Sequence, residues 1–139
     1  MFDTVGEWLD KMELKYQKNE EKRTFVLPYD INNVKFMVII LVFPEKWIKI
    51  GALILRAEKV TEEMYLALLQ ENWNLFEVTY SVDEQGNIFS ENDIPHTSNY
   101  ENFVSEFQAV IFGVINFFEK IAPKFQAKAV DTYNSEAWV

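Results

Sequence analysis

The stretch between Glu106 and Glu119 carries no charged residue, although the segment around it has the periodicity of an amphipathic helix. Apolar residues recur there at steps of three and four and form one stripe for a core: Tyr100, Phe103, Val104, Phe107, Val110, Ile111, Val114, Phe117, Phe118 and Ile121. The opposite side of the helix, where a surface helix normally carries Lys and Glu, consists of Ala109, Phe112, Gly113 and Asn116. A helix without charge on either side needs a second contact. The sequence therefore predicts a protein interface at these four residues.

Length and composition favour one folded domain. The chain has 139 residues, of which 49% are hydrophobic and 16% are aromatic, and this composition is typical of a globule with a single core. We expect the domain to span residues 1–123, because the helical periodicity fades beyond that point. Residues 124–139 then form a C-terminal tail, in which Tyr133 and Trp138 are candidates for packing back on the domain.

The negative net charge and the short apolar runs argue against nucleic-acid and membrane partners. The formal net charge is −9, whereas nucleic-acid binding requires clustered Lys and Arg, so we expect no nucleic-acid partner. The apolar run Val34–Phe43 is shorter than the roughly 20 residues of a membrane-spanning helix. The first residues also lack the basic and apolar regions of a secretory signal. We therefore expect a cytoplasmic protein without a membrane partner.

The order of predicted elements indicates an α+β fold with a mainly antiparallel sheet. Short turns separate the strands within each group, whereas parallel strands would need longer crossovers. The pattern predicts helix, three strands, helix, two strands and helix at about residues 4–18, 24–27, 34–42, 47–55, 62–72, 75–82, 88–95 and 98–122. A five-stranded sheet packed against the helices follows from this order.

The second half of the chain resembles a known family. The segment Leu66–Asn74, the strand Phe76–Val82, the turn Asp83–Asn87 and the closing strand with Ile94-Pro95 are similar to the YbjN-like family, whose fold is the type III secretion chaperone-like fold. The resemblance extends over about residues 3–122. It implies small, acidic, often dimeric proteins that bind other polypeptides through apolar patches and strand edges, and it implies no catalytic residue.

Residue types that usually carry catalysis or bind cofactors are sparse. The chain has one His, at position 96, and no Cys, so neither thiol chemistry nor a His and Cys metal site is expected. The turn Asp83–Asn87 lacks the alternating oxygen ligands and the closing Glu of a calcium loop. Glu62 and Glu63 are adjacent on a helix and do not face each other. We expect no catalytic residues, no cofactor and no metal.

The leading hypothesis is a non-enzymatic protein-binding domain, chaperone- or adaptor-like and homodimeric, whose client is another polypeptide. An alternative is a small-molecule sensor or carrier with an aromatic-lined cavity between the sheet and the helices. The sequence also does not identify what contacts the uncharged second face of the third predicted helix. A second copy, the chain's own tail or a client would each cover Phe112.

Overall fold

The computed structural model of the protein describes residues 1–125. The elements follow in the order α1 (Phe2–Lys11), β1 (Gln17–Asn19), β2 (Thr24–Ile31), β3 (Val34–Val42), β4 (Trp47–Leu55), α2 (Glu62–Asn74), β5 (Thr79–Val82), β6 (Ile88–Pro95) and α3 (Tyr100–Asn116). A π-helical turn, Phe117–Ile121, and a 3-10 turn, Ala122–Phe125, extend α3. The tail residues Tyr133 and Trp138 lie outside the described residues, and the division of the chain at residue 123 stays a prediction.

The α+β class is confirmed, but within residues 1–125 the sheet has six strands instead of the predicted five. The strand order is β1-β2-β3-β4-β6-β5, and each neighbouring pair is antiparallel. Strand β1 was not predicted from the sequence, because its three residues are polar and too few to show alternation. The first helix was predicted to continue through this region, whereas α1 ends at Lys11 and Glu13 adopts a left-handed conformation with φ 60°.

Two strand limits also differ from the prediction. Strand β2 continues through Pro28 to Ile31, although a strand ending at the proline was expected. The register explains this: β1 pairs with β2 only as far as Val26, so Pro28 faces a neighbouring strand on one side only. Strand β5 begins at Thr79, after Glu77 with φ 66°, so the four residues that follow α2 form a turn instead of the predicted strand.

The start of α3 is set by a capping box one residue later than expected. Asn99, not Ser98, is the N-cap residue. Its side chain accepts a hydrogen bond from the Asn102 backbone at 2.8 Å, and the Asn102 side chain accepts one from the Asn99 backbone at 3.1 Å. These bonds satisfy N–H groups that the first turn of a helix leaves without partners.

The main core lies on one face of the sheet, where all three helices contribute to it. Apolar side chains of α1, α2 and α3 form a single buried cluster with alternate residues of the strands, including Val5, Leu9, Phe36, Ile50, Leu68, Phe103 and Phe107. Alternation along β3 and β4 sends the remaining side chains to the other face. We call this second side, which has a smaller buried cluster of Val26, Met37 and Ile39, the outer face.

Helix α3 approaches the sheet closely at Gly113. This residue was predicted on the side of α3 away from the core, yet it is buried against Ser90 of β6 and Val78. Asn116 is also only 2% exposed. Contrary to the prediction that these two residues face a neighbour, they are packed inside the fold. The sheet occupies a wider arc of α3 than the stripe of large apolar residues suggested, because a glycine lets strand and helix backbones come close.

Replacement of Gly113 by Ala tests this packing. A Cβ at Gly113 would collide with Ser90 Oγ and lie 3.2 Å from Val78 Cγ2. Because α3 must move away to relieve the collision, we expect Gly113→Ala to lower the free energy of unfolding by about 1–3 kcal/mol. The better helix propensity of Ala offsets only part of this loss. Urea unfolding followed by far-ultraviolet circular dichroism measures the change.

Gly51→Ala is the matched control. A Cβ at Gly51 in β4 would meet its nearest atom, Phe89 Cδ1, at 3.6 Å, which is an ordinary contact distance. We therefore expect no loss of stability for this variant. An unfolding free energy that is unchanged in Gly113→Ala would contradict the close approach of α3 to β6.

Candidate protein-binding surfaces

Helix α2 presents large apolar side chains to solvent. Its inner side buries Met64 and Leu68, while Leu66, Leu69 and Trp73 are 58%, 69% and 90% exposed. Phe76, in the turn that follows the helix, is 86% exposed. We call these four exposed residues the α2 surface. A contiguous exposed group of this kind is typical of a protein contact site.

A shallow hollow of about 290 Å³ lies beside the α2 surface, between the helix and the end of the sheet. It is lined by Tyr65, Leu68, Leu69, Asn72, Tyr80 and Val82. Val82 is 46% exposed at the end of β5. The apolar surface therefore continues from α2 onto strand β5.

The four residues of the predicted α3 interface separate into two groups. Ala109 is half-buried and Phe112 is 53% exposed. They line a groove of about 490 Å³ beside Phe76 of the α2 surface. Asn116 also borders this groove but is only 2% exposed, and Gly113 is buried against the sheet. Of the predicted site, Ala109 and Phe112 therefore provide the surface that is open to a neighbour.

Asn116 is part of a buried polar network that joins α2, β5 and α3. Its Nδ2 donates to Glu71 Oε2 at 2.8 Å and to Tyr80 Oη at 3.0 Å. Tyr80 Oη in turn donates to the backbone oxygen of Gly113 at 2.6 Å. Burial raises the pKa of Tyr80, and the nearby Glu71 raises it further against the opposing effect of Asn116, so the phenol keeps its proton. This network fixes the end of α2 against the sheet.

The outer face of the sheet contains a second groove, of about 600 Å³. We call it the outer groove, and its lining residues are Lys22, Thr24, Ile39, Leu41, Lys49, Gly51, Ser81, Val82, Asp83, Phe89 and Glu91. Its walls are mainly apolar. Charged residues stand along its border, where Lys49 Nζ contacts Glu91 Oε2 at 3.0 Å and Asp93 Oδ1 at 2.9 Å. The groove combines an apolar floor with a charged rim, as protein interfaces do.

Sequence reasoning missed the α2 surface, although a signal for it was present. Leu66, Leu69 and Trp73 follow each other at steps of three and four, the spacing of one helix face. Of the adjacent residues Leu68 and Leu69, the first is buried and the second is exposed. The surplus apolar face that was predicted for the third helix is therefore more extensive on the second helix.

Metal-ligand clusters and membrane-spanning helices are both absent within the described residues. Within residues 1–125, no group of three or more His, Cys, Asp or Glu side chains is placed to hold a metal ion. His96 Nε2 lies 3.1 Å from the backbone oxygen of Trp47, which ties the loop before α3 to the start of β4. None of the helices in this part of the chain is long and apolar enough to cross a membrane.

Solved structures with the same fold come from several sources. YbjN of E. coli, a putative transcription regulator, is 14% identical over 91% of this chain and 93% of that chain, with a TM-score of 0.67. A chain of the ExsC-ExsE complex is 13% identical, with 86% and 92% coverage and a TM-score of 0.63. A chain of the heterodimeric ExoU-SpcU complex from the type III secretion system of Pseudomonas aeruginosa is 13% identical, with 86% and 98% coverage and a TM-score of 0.58.

The sequence identities to these solved structures are too low to assign the chain to a family, but a family model assigns it. A search of curated proteins found no match to this chain. The family model CesT_Tir_1, however, matches residues 1–111, which is most of the chain and includes every strand of the sheet. The resemblance of the second half of the sequence to secretion chaperone-like proteins is thus confirmed. The chain belongs to the CesT_Tir_1 family of type III secretion chaperones.

Proposed function

We propose that the protein is a non-enzymatic chaperone- or adaptor-like domain that binds another polypeptide. Family membership supports this function, as do structural neighbours that were solved as complexes with other proteins, among them a chaperone with its effector. The observation that carries the proposal is the apolar outer groove with its charged rim. Such a surface fits the apolar side chains of a client segment. A cytoplasmic location is part of the same proposal.

The outer groove is the proposed client site. Ile39, Leu41 and Phe89 supply apolar contact area, and burial of client side chains against them provides the binding energy. The lining holds Lys22 and Lys49 as well as Asp83 and Glu91, so its own charges balance, but the whole chain has a net charge of −9, which attracts basic segments. We therefore infer a client segment in which apolar residues are combined with basic ones.

A Leu41→Glu variant tests the client site. The probe is a fluorescein-labelled synthetic peptide of alternating leucine and lysine, and fluorescence anisotropy measures its binding. We expect the wild-type protein to bind the peptide and Leu41→Glu to bind it at least about tenfold more weakly, because a hydrated, charged side chain replaces apolar contact area in the groove. Circular dichroism verifies that the variant is folded.

Phe112→Glu is the control for this experiment, because it introduces the same charge at an exposed apolar residue outside the outer groove. Its affinity for the peptide should equal that of the wild type. Equal affinities for all three proteins would show that the peptide binds elsewhere and would remove the outer groove as the client site.

The α2 surface is the proposed contact between two copies of the chain. Closed, two-fold symmetric dimers are the commonest homo-oligomers, and they need one self-complementary patch. Helix α2 offers such a patch, because Leu66, Leu69 and Trp73 lie along a single exposed face. Two copies that pack these helices side by side would each cover the apolar residues of the other. The homodimer therefore uses α2, and the exposed Phe112 lies at its margin.

A Leu69→Glu variant tests the dimer. Near a two-fold axis the substitution places two carboxylates close together in an apolar contact, so we expect the dissociation constant to rise at least about 100-fold. Sedimentation velocity over a range of concentrations should find a wild-type dimer and a Leu69→Glu monomer. Phe112→Glu is the matched variant on α3. If Phe112→Glu dissociates the protein and Leu69→Glu does not, the contact lies at the α3 face that the sequence predicted.

The alternative function, a carrier of small molecules, finds less support in the geometry. It requires a cavity between the sheet and the helices, but large aromatic side chains such as Phe36, Phe103 and Phe107 fill that space and are at most 1% exposed. The grooves described above are open to solvent on the surface of the fold. Open apolar grooves fit segments of polypeptide better than they enclose a small ligand.

A further inference from the structure

Strand β5 stands at the end of the sheet. In the described part of the chain its only strand neighbour is β6, with Tyr80 opposite Ser90. A strand in this position normally presents backbone N–H and C=O groups that are ready to pair with another chain. The α2 surface borders this strand through Val82. Whether the backbone groups of β5 are free to pair with another strand therefore decides how a second copy can attach there.

The side chain of Asn72 occupies the edge at Tyr80. The Tyr80 backbone N–H donates to Asn72 Oδ1 at 2.8 Å, and the Tyr80 backbone oxygen accepts from Asn72 Nδ2 at 3.1 Å. Both backbone groups thus point away from β6 and towards α2. A carboxamide carries a donor and an acceptor in one plane, as a peptide group does, so Asn72 takes the place of one residue of an added strand.

Further hydrogen bonds hold both Asn72 and Tyr80 in position. Asn72 lies in the last turns of α2, next to Glu71, whose carboxylate accepts a hydrogen bond from Asn116 of α3. The Tyr80 hydroxyl is bonded to the backbone of Gly113 in the same helix. An incoming strand would have to displace the carboxamide and leave it without partners in a half-buried place, which costs free energy.

We propose that Asn72 closes the β5 edge to strand addition, so that a second copy attaches to α2 through side chains and the sheet does not continue into the partner. This inference rests on the proposed dimer and specifies its geometry. The same apolar patch joined to an open edge would favour a continuous sheet across two copies. Closure of the edge leaves helix-to-helix packing as the mode of contact.

The test is made in the Leu69→Glu background, which removes the α2 contact. Asn72→Ala in that background should expose the Tyr80 backbone, and hydrogen exchange measured by NMR should be at least about tenfold faster at the Tyr80 amide. The opened edge should also restore association, seen as a concentration-dependent species larger than a monomer in sedimentation. Asn74→Ala, an exposed asparagine two residues further along α2, is the matched control and should change neither quantity.

The outcomes separate the two proposals. A Leu69→Glu protein that stays dimeric overturns the proposed dimer contact and with it the inference about its geometry. A monomeric Leu69→Glu protein whose Tyr80 amide exchange and association are unchanged by Asn72→Ala overturns the role of Asn72 alone. If the double variant does not fold, the Leu69→Glu protein itself decides the matter. Its Tyr80 amide should be protected, and free exchange there would refute the closed edge.

Discussion

The close approach of α3 to strand β6 at Gly113 determines how the rest of the molecule is arranged. Ser90 Oγ donates to the backbone oxygen of Val110 at 2.9 Å, and Tyr80 Oη donates to that of Gly113. Helix carbonyl oxygens have a second lone pair, so they accept these bonds without losing their own helical ones. Neighbouring strands β5 and β6 are thereby fastened to one turn of α3. A side chain at position 113 would push both strands away.

The position of α2 depends on this arrangement in turn. Asn72 bonds the backbone of Tyr80, and Glu71 bonds Asn116 of α3, so the end of α2 is fixed by polar contacts. Met64 and Leu68 are the buried apolar side chains of α2, Tyr65 and Ala67 are partly buried, and the large apolar residues of the α2 surface face solvent. Exposure of Leu69 and Trp73 is unfavourable in an isolated copy, which is the physical reason to place a partner there. Because polar contacts at its end hold α2 in place, the outward face of the helix remains available for a partner.

The two surfaces of the protein divide the proposed functions between them. The α2 surface lies at the β5 end of the sheet, and the outer groove lies on the face that the helices leave uncovered. A dimer formed through α2 would therefore leave most of both outer grooves open to clients. This separation would let the proposed dimer bind another polypeptide at a different place from its own contact.

Local patterns in the sequence determined the class of fold and most of its elements. Runs such as Val34–Val42 are long and rich in β-branched residues, and α3 has a clear helical period, so these elements were predictable. Strand β1 was not, because Gln17–Asn19 is a strand only through pairing with β2. The family resemblance likewise came from the sequence alone.

Only the tertiary structure decided which apolar residues are exposed. Gly113 and Asn116 were predicted to contact a neighbour, but the nearby sheet and the Tyr80 network bury them within the fold. Of the adjacent residues Leu68 and Leu69, the orientation of α2 buries the first and exposes the second. Helical periodicity specifies which residues share a face. It does not specify how wide an arc a neighbouring sheet covers, because that depends on how closely the backbones approach each other.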